Sequence, residues 1–379
     1  LFLYKTRLGR ATRAVSDNAA LAAASGINVD QVVRVVWILS CAMAALSGVL
    51  LGVYLNGISW NTGATLILLM FAAVTLGGLG TANGALIGSL VIGIVAEYNP
   101  FHTGHQYQIS ESRRAVGGEA GVVAVMSGNW VQRGDAAITD KWTRSRMALE
   151  GGADLVLELP TVWASSSAES FARGAVALLH ASGVVDTLCF GSESGDLEAL
   201  ASVARCLDSA GFQTELRRFT SNGTSFAAAR QAAVQEVLGD SARLLSAPNN
   251  NLGVEYLRAL AALSSSIRPM TLPRQGAGHD SQVNSPYPSA SWLRRQILGG
   301  ALPLDNPASL RFNERGVLTL LRSRTPEELA ALPDCGEGLH NRLYRAIRVA
   351  ENLEQLYEQV KTKRYAHARI RRLVLWAYL

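Results

Sequence analysis

No Asp, Glu, Lys or Arg occurs from Val35 through Ala96, and the segment that follows at once, "EYNPFHTGHQ" at residues 97–106, is polar and histidine-rich. An uncharged run of that length fits hydrocarbon or a sheet buried on both faces, and little else. Within it, "VVWILSCAMAALSGVLLGVYL" (Val35–Leu55) supplies about 20 uncharged residues, the length that crosses a bilayer core at roughly 1.5 Å per helical residue. Two further apolar runs, "ATLILLMFAAVTLGGLG" and "GALIGSLVIGIVA", follow, broken by Gly77, Gly78 and Gly80. Small residues at such spacing suit helices packing closely in lipid. A buried soluble helical hairpin is the alternative, weakened because three uncharged runs seldom fit inside one small domain.

Average composition conceals this division. Of 379 residues, 49% are hydrophobic and 17% charged, and the shortage of charge falls before Glu97. The length allows two or three units with sizeable cores. A net charge of +5 permits contact with RNA or anionic lipid without demanding either. Cys41, Cys189, Cys206 and Cys335 lie far apart without C-x-x-C spacing, so reduced thiols are expected rather than a zinc or redox site. The opening "LFLYKTRLGRATRAVSDNAAL" lacks an apolar segment followed by a small-residue cleavage site, so no secretory signal is expected.

Beyond Glu97 the pattern changes to short apolar runs ending in small or polar residues: "GVVAVMS" from Gly121, "ADLVLELP" from Ala153 and "VDTLCFGSE" from Val185. Stretches rich in Ala, Arg and Glu lie between them, as in "DKWTRSRMALEGG" and "AESFARGAVALLHASG". This rhythm predicts an α/β fold, a Rossmann-type parallel sheet with helices on both faces and a ligand site at the carboxyl ends of its strands. Such a sheet needs a strand before the motif. The segment available is "LVIGIVAEYNP" (Leu90–Pro100), which also ends the third apolar run. One segment cannot be both a lipid-spanning helix and a central strand. The sheet has no frame without it, so Leu90–Ala96 is expected to be extended and buried, and Val35–Leu55 helical.

Pro100 ends that strand, and His102 and His105 follow three apart, with Gly104 between them to let the backbone approach a ligand at the mouth of a helix. Two imidazoles there, neutral or protonated, offer N–H donors to phosphate oxygens whose charge grows during nucleotidyl transfer. No nucleophile is required. A zinc pair is the competing chemistry, but helical metal ligands usually sit four apart and a third ligand is lacking nearby, so no metal site is expected.

Five blocks in order carry a resemblance: "GIVAEYNPFHTGHQY", "MSGNWVQRGDAAITDKWTRSRMALEGGADLVLELP", "CFGSESGD", "APNNNLGVEYLRAL" and "RQGAGHDS" together resemble the tRNA(Met) cytidine acetate ligase family. The likeness starts near Ile92 and continues through "SASWLRRQIL" and "GLHNRLYRAIRVAENLEQLYEQVKTKRYAHARIRRLVL". Upstream, "ALAAASGINVDQVVRVVWILSCAMAALSGVLLG" and "AAVTLGGLGTANGALIGSLVIGI" resemble the last third of a branched-chain amino-acid ABC transporter permease. The earlier helices of such a permease are missing, and the ATPase signature G-x-x-x-x-G-K-[ST] does not occur. The ligase resemblance implies an HxGH nucleotidyltransferase-like fold. It also implies that ATP, with Mg²⁺, activates acetate to acetyl-AMP, and that the acetyl group passes to the wobble cytidine of elongator tRNA(Met), giving N4-acetylcytidine.

The same resemblance maps a nucleotide loop onto Ile94, Val95, Ala96, Glu97, Tyr98, Asn99, Pro100, Phe101, His102, Thr103, Gly104, His105, Gln106 and Tyr107, with His102 and His105 catalytic. Gly191 would let backbone approach the nucleotide, Asn250 rather than Asn249 would hydrogen-bond it, and Arg274 would meet phosphate. Read without the resemblance, Gly191 could simply end a strand and the Asn pair could cap the helix "NLGVEYLRAL". "SASWLRR" resembles the Ser/Thr-rich segment ending in Arg that nucleotidyltransferases set over the triphosphate. Arg294 then meets phosphate with Ser289 and Ser291 as helix-start donors, although Trp292 and Leu293 depart from the family's pattern. Two basic clusters suit RNA backbone contact and base stacking, with a solvated helix face as the alternative. One is Lys141, Arg144 and Arg146; the other interleaves Lys361, Lys363, Arg364, Arg369, Arg371 and Arg372 with Tyr365 and His367. The resemblance tilts the second, with Lys361, Lys363 and Arg364 foremost, toward tRNA binding or toward closing the active site.

The expected organisation is a permease-like hydrophobic helical fragment over 1–89, a nucleotidyltransferase-like catalytic domain over 90–310 and a helical C-terminal region over 311–379. Elongator tRNA(Met) and acetate are the expected partners, with membrane contact only through the N-terminal fragment. The enzyme part is expected to be cytoplasmic. Two other functions stay open: a transporter subunit requiring partner chains, and a different small-molecule adenylyltransferase that releases pyrophosphate without needing tRNA.

Overall fold

The computed structural model describes residues 6–54, 57, 63, 67, 70, 90–118, 120–221, 225–274, 288–363 and 365–379. Two compact units emerge, Leu1–Leu86 and Ile87–Leu379. In the first, the helices Arg7–Asp17, Ala19–Ala24 and Val29–Tyr54 follow one another. Thr6 and Asn18 cap the first two, their side-chain oxygens accepting from the Gly9 and Leu21 N–H groups at 3.0 and 2.9 Å. The third is long and apolar enough to cross a membrane: within Val29–Val53 the most apolar 18-residue stretch has a mean hydropathy of 2.2, and none of that stretch is buried. Trp37, Ile38, Leu46, Val49 and Val53 are all more than half exposed. The first apolar run is thus helical, as its length and composition predict. Most of the second and third runs lie outside the described residues.

The second unit contains β1 (Val91–Ala96), β2 (Gly121–Ser127), the short β3 (Trp130–Val131) and β4 (Asp135–Ala136), β5 (Leu155–Leu159), β6 (Thr187–Ser192) and β7 (Arg268–Pro273). β3 and β4 pair antiparallel; the other five strands form one parallel sheet in the order β5-β2-β1-β6-β7. The contested segment is therefore a strand, and a central one, with Ile92 paired to Val122 on one side and Thr187 on the other. Its lack of charge follows from burial on both faces: Ile92 and Ile94 are no more than 1% exposed. At Gly93 an added Cβ would lie 2.8 Å from Leu179 Cδ1, so the helix Ala168–Ser182 packs directly on the strand's backbone. Leu90, expected inside the strand, is instead an exposed bend whose carbonyl accepts from the Gly121 N–H at 2.9 Å.

β7 has no counterpart among the sequence expectations, because "RPMTLP" carries two prolines. The sheet tolerates Pro269 and Pro273 there because β7 is an edge strand, bonded only to β6. From β1 the chain winds outward through β2 and β5, then returns to the other side of β1 for β6 and β7. The reversal opens a crevice at the carboxyl ends of β1 and β6.

The helices Glu314–Ser323, Leu339–Val349, Leu353–Val360 and His367–Tyr378 enclose a separate apolar cluster that includes Val317, Leu321, Leu343, Ile347, Leu356, Ile370 and Val374. Polar ties join them to the sheet. Asp135 accepts from the Leu310 N–H at 3.0 Å and pairs with Arg371, and Trp376 Nε1 donates to the Ser165 carbonyl at 3.1 Å.

In the first basic cluster, Arg144 fits neither the RNA contact nor the solvated helix face that the sequence left open. Arg144 is wholly buried. Its Nε donates to the Thr139 carbonyl at 3.1 Å, Nη1 to the Glu97 and Ser127 carbonyls at 2.7 and 3.1 Å, and Nη2 to the Gly128 carbonyl. It clamps together the chain leaving β1 and the chain leaving β2. Lys141 is paired with Glu158, and Arg146 alone of the three is exposed and without a partner among the described residues.

Candidate active site

The chain leaves β1 through Glu97 and Tyr98, the latter at φ +46, and crosses a cis Asn99–Pro100 bond into the helix Thr103–Ala115. A non-glycine residue in the left-handed region is a strained conformation that the surroundings must impose. Tyr98 is 1% exposed, its ring set edge-on to Phe101 and His105 at 5.0 Å. Asn99 fixes the turn from both sides: its Oδ1 accepts from the Ile138 N–H at 2.7 Å and its carbonyl from Arg294 Nη1 at 2.6 Å.

His102 is the N-cap of this helix. Its Nδ1 accepts from the Gly104 N–H at 3.1 Å, while His105 Nδ1 accepts from the His102 N–H at 3.3 Å, a reciprocal capping box. The two rings stack with centroids 3.8 Å apart. An added Cβ at Gly104 would lie 2.9 Å from His102 Cε1, so this glycine makes room for the ring as well as for a ligand. Because both Nδ1 atoms accept, each neutral ring carries its proton on Nε2. Burial, followed by the Arg274 and Arg294 charges, pushes His102 down to about 4. Burial, His102 and Arg274 hold His105 well below the usual imidazole range. Both rings are therefore neutral Nε2–H donors at neutral pH, which decides between the two protonation states the sequence left open.

A cavity at the sheet's reversal is lined by His102, Gly104, His105, Tyr107, Gly191, Arg274 and Ser289, among others. Of the fourteen residues expected to form the nucleotide loop, His102, Gly104, His105 and Tyr107 line it. Ile94 is fully buried in β1, and Val95, Ala96 and Glu97 carry the chain toward the turn. Pro100, Phe101, Thr103 and Gln106 shape the turn and first helical residues without lining the cavity. Gly191 faces Arg274, where an added Cβ would sit 3.3 Å from Arg274 Cγ.

Arg274 follows β7, its N–H bonded to the Ser192 carbonyl at 2.9 Å and its Nη1 3.4 Å from Asn249 Oδ1. Asn250 lies deeper, at 3% exposure, with Oδ1 accepting from the Ser194 N–H at 3.0 Å. Glu193 organises both asparagines, accepting from the Asn249 side chain at 2.6 Å and the Asn250 N–H at 2.7 Å. Sequence reasoning passed over Glu193 and the cavity residue Gln108; the position of Glu193 two residues after Gly191 in "CFGSES" was the available signal. Arg294 does not line the cavity but pins the Asn99 carbonyl and contacts Ser291 Oγ at 3.2 Å, and Ser289 caps its helix. Burial lowers its pKa, with Glu97 opposing.

The C-terminal basic run also separates. Lys361 and Lys363 are exposed, and Arg364 lies outside the described residues. Tyr365, expected as a stacking platform, is buried with its hydroxyl donating to the Glu337 carbonyl at 2.7 Å. Arg369 and Arg372 are held by Asp334, and Arg371 by Asp135. These arginines stitch the last helix to its neighbours.

The family model described as HIGH Nucleotidyl Transferase matches residues 90–379, and the one described as the permease component of a branched-chain amino acid transport system matches residues 1–106. The tRNA(Met) cytidine acetate ligase of Thermoanaerobacter sp. (strain X514) is 38% identical over 75% of this chain and 77% of its own. That of Caldanaerobacter subterraneus subsp. tengcongensis is 41% identical over 75% and 76%. Among solved structures, apo Thermotoga maritima TmcAL aligns with a TM-score of 0.72 at 35% identity, over 76% of this chain and 75% of that one. Its form bound with alpha-thio ATP aligns at 0.67 and 35% identity, over 76% and 74%. With its histidine pair at the sheet's reversal, a family model matched over residues 90–379 and relatives aligned over three quarters of its length, the chain belongs to the HIGH nucleotidyl transferase family, among the tRNA(Met) cytidine acetate ligases.

Proposed function

We propose that this chain activates acetate with ATP and transfers the acetyl group to the wobble cytidine of elongator tRNA(Met). The observation that carries this is the pair of neutral imidazoles at the carboxyl end of the central strand, opening with Arg274 and Gly191 onto one cavity. An acetate oxygen attacks the α-phosphorus of ATP, forming acetyl-AMP, and the Pα–O bond breaks to release pyrophosphate. His102 and His105 present Nε2–H donors to oxygens that gain charge in that step, and Arg274 offers the cavity's positive charge. The N4 amine of cytidine then attacks the acetyl carbon, loses a proton to solvent and releases AMP. The strand-end glycine Gly191 leaves space beside Arg274 for the nucleotide, while Asn250 and Arg294 hold the two loops that frame it.

Mg²⁺ accompanies ATP in such chemistry. Among the described residues, no group of three or more His, Cys, Asp or Glu side chains is placed to hold a metal ion. The residues present do not fit a protein-built Mg²⁺ cage, and what this chain itself contributes to phosphate charge is Arg274 and the imidazole pair. Catalysis is assigned to residues 90–310 and RNA contact to 311–379, through Lys361 and Lys363 with Arg364 beside them. The enzyme part is assigned to the cytoplasm, and the apolar helix Val29–Tyr54 is what supports membrane contact through the N-terminal unit.

Acetate-dependent exchange of pyrophosphate into ATP tests the reading. His102→Asn, which keeps a capping side chain, and His105→Ala should each lower exchange by about 10² to 10³. Intact exchange with loss confined to tRNA acetylation would refute the role given to the imidazoles.

A further inference from the structure

Building on that tRNA reading, we propose that an open groove in the C-terminal region seats the phosphate backbone of an RNA stem. The groove, about 700 Å³ in volume, runs between the helix Leu339–Val349 and the end of the helix Leu353–Val360 with the segment that follows it. Arg342 and Arg345 line one wall, on the helix face shared with Asn341 and Val349; Gln359, Thr362 and Tyr365 line the other. No Asp or Glu lines it.

Arg345, Lys361 and Lys363 are exposed, and among the described residues none of these side chains makes a hydrogen bond or ion pair. Arg342 is tied by Nε to the Val360 carbonyl at 2.9 Å, which fixes its guanidinium at the groove wall. Lys361 and Lys363 flank Thr362 in the chain, beside this wall, although neither lines the groove itself. By contrast, Arg369, Arg371 and Arg372, equally basic in sequence, are neutralised by Asp334 and Asp135.

The occupant follows from what the groove lacks. Tyr365 is buried with its hydroxyl bonded to Glu337, and the Tyr344 ring is covered by the Arg348 guanidinium 3.3 Å above it. Neither ring is free to stack an unpaired base, and two arginines in a lining without a carboxylate, with two exposed lysines next to its far wall in the chain, match a run of phosphates. The groove thus contributes affinity and orientation, while selection of the cytidine belongs to the active site.

The experiment measures binding of an elongator tRNA(Met) transcript to the full chain over a salt series, for wild type, Arg345→Gln, Lys361→Gln and the double variant. Both positions are exposed, and an unchanged melting curve verifies folding. Each lost phosphate contact should weaken binding about eightfold near 0.1 M salt and make the log-log salt slope shallower by about 0.9, so the curves converge near 1 M. Wild-type affinity and slope in the double variant would overturn the groove assignment, as would an equal loss of affinity at every salt concentration. Acetate-dependent exchange by the wild-type chain without RNA tests the adenylylation reading separately, so the two can fail independently.

Discussion

Arg144→Met separates a framework arginine from an RNA-binding one. The wild-type guanidinium, wholly buried, donates to four backbone carbonyls, three at the ends of β1 and β2 and one at Thr139 just before its own helix. Burial lowers its pKa to about 10, so it stays charged at neutral pH, and the nearby Glu97, Asp140 and Glu158 offset that loss. Hydrogen bonds from a charged donor contribute about 1.5–3 kcal/mol each, and removing one partner of a buried charged network costs about 3–5 kcal/mol, because such bonds are not additive. Methionine nearly fills the same volume, so little of the loss comes from a cavity. A loss of about 4 kcal/mol is a large share of a typical 5–15 kcal/mol stability. With a urea slope of roughly 3 kcal/mol per molar, the midpoint followed by tryptophan fluorescence should fall by more than about 1 M. Arg144→Lys should recover little of it, since an ammonium cannot reach four carbonyls in fork geometry. A midpoint unchanged within about 0.2 M, together with lost tRNA binding, would show that Arg144 serves RNA and that the clamp is inessential.

Two further outcomes follow from the site. His102 is held neutral in the fold, with its pKa down to about 4 against 6.5 unfolded, so the unfolded chain binds the extra proton between those values. Stability should therefore fall as pH drops through that window, by up to ~3 kcal/mol at its lower end, and the difference between wild type and His102→Asn in urea midpoints against pH should show it; parallel curves would refute the depressed value. Gly191→Val places methyl groups where Arg274 Cγ already lies 3.3 Å from an added Cβ. Displacing Arg274 should raise the KM for ATP by about tenfold with the melting temperature nearly unchanged, and an unchanged KM would detach Gly191 from the nucleotide site.

What the sequence revealed was what repeats along the chain, and what it hid was what meets only in space. The runs at Gly121 and Val185 are strands because apolar segments between helices bury both faces of a parallel sheet, while the run at Ala153 forms its half-exposed edge. The histidine pair was legible because its members lie three apart at a helix start and therefore interact locally. Arg144 was not: its acceptors, Glu97, Ser127, Gly128 and Thr139, come from three separate segments, and a helical arginine among polar neighbours reads as solvated. The same blindness merged Lys361 and Lys363 with Arg369, Arg371 and Arg372, since the carboxylates that claim the arginines are as distant as Asp135.

The outcome at Val91–Ala96 follows from how much each fold asks of that segment. The two family models overlap there, one ending at residue 106 and the other beginning at 90. As a helix, the segment would satisfy its hydrogen bonds within itself and add one apolar element to a bundle. As a strand, it bonds to β2 along its whole length and to β6 over Ile92, Gly93 and Ile94, and it delivers His102 to the point where the sheet reverses. Gly93 sharpens the preference: a glycine is unfavourable in a helix interior, but here its bare backbone receives Leu179 and Val185. Ile92 and Ile94, buried on the opposite side of the pleat, then join Ile109, Ala124 and Cys189 in the core beneath the histidines. A residue pattern of period two, isoleucine-glycine-isoleucine, has one face that needs side chains and one that forbids them, and only the strand separates those faces.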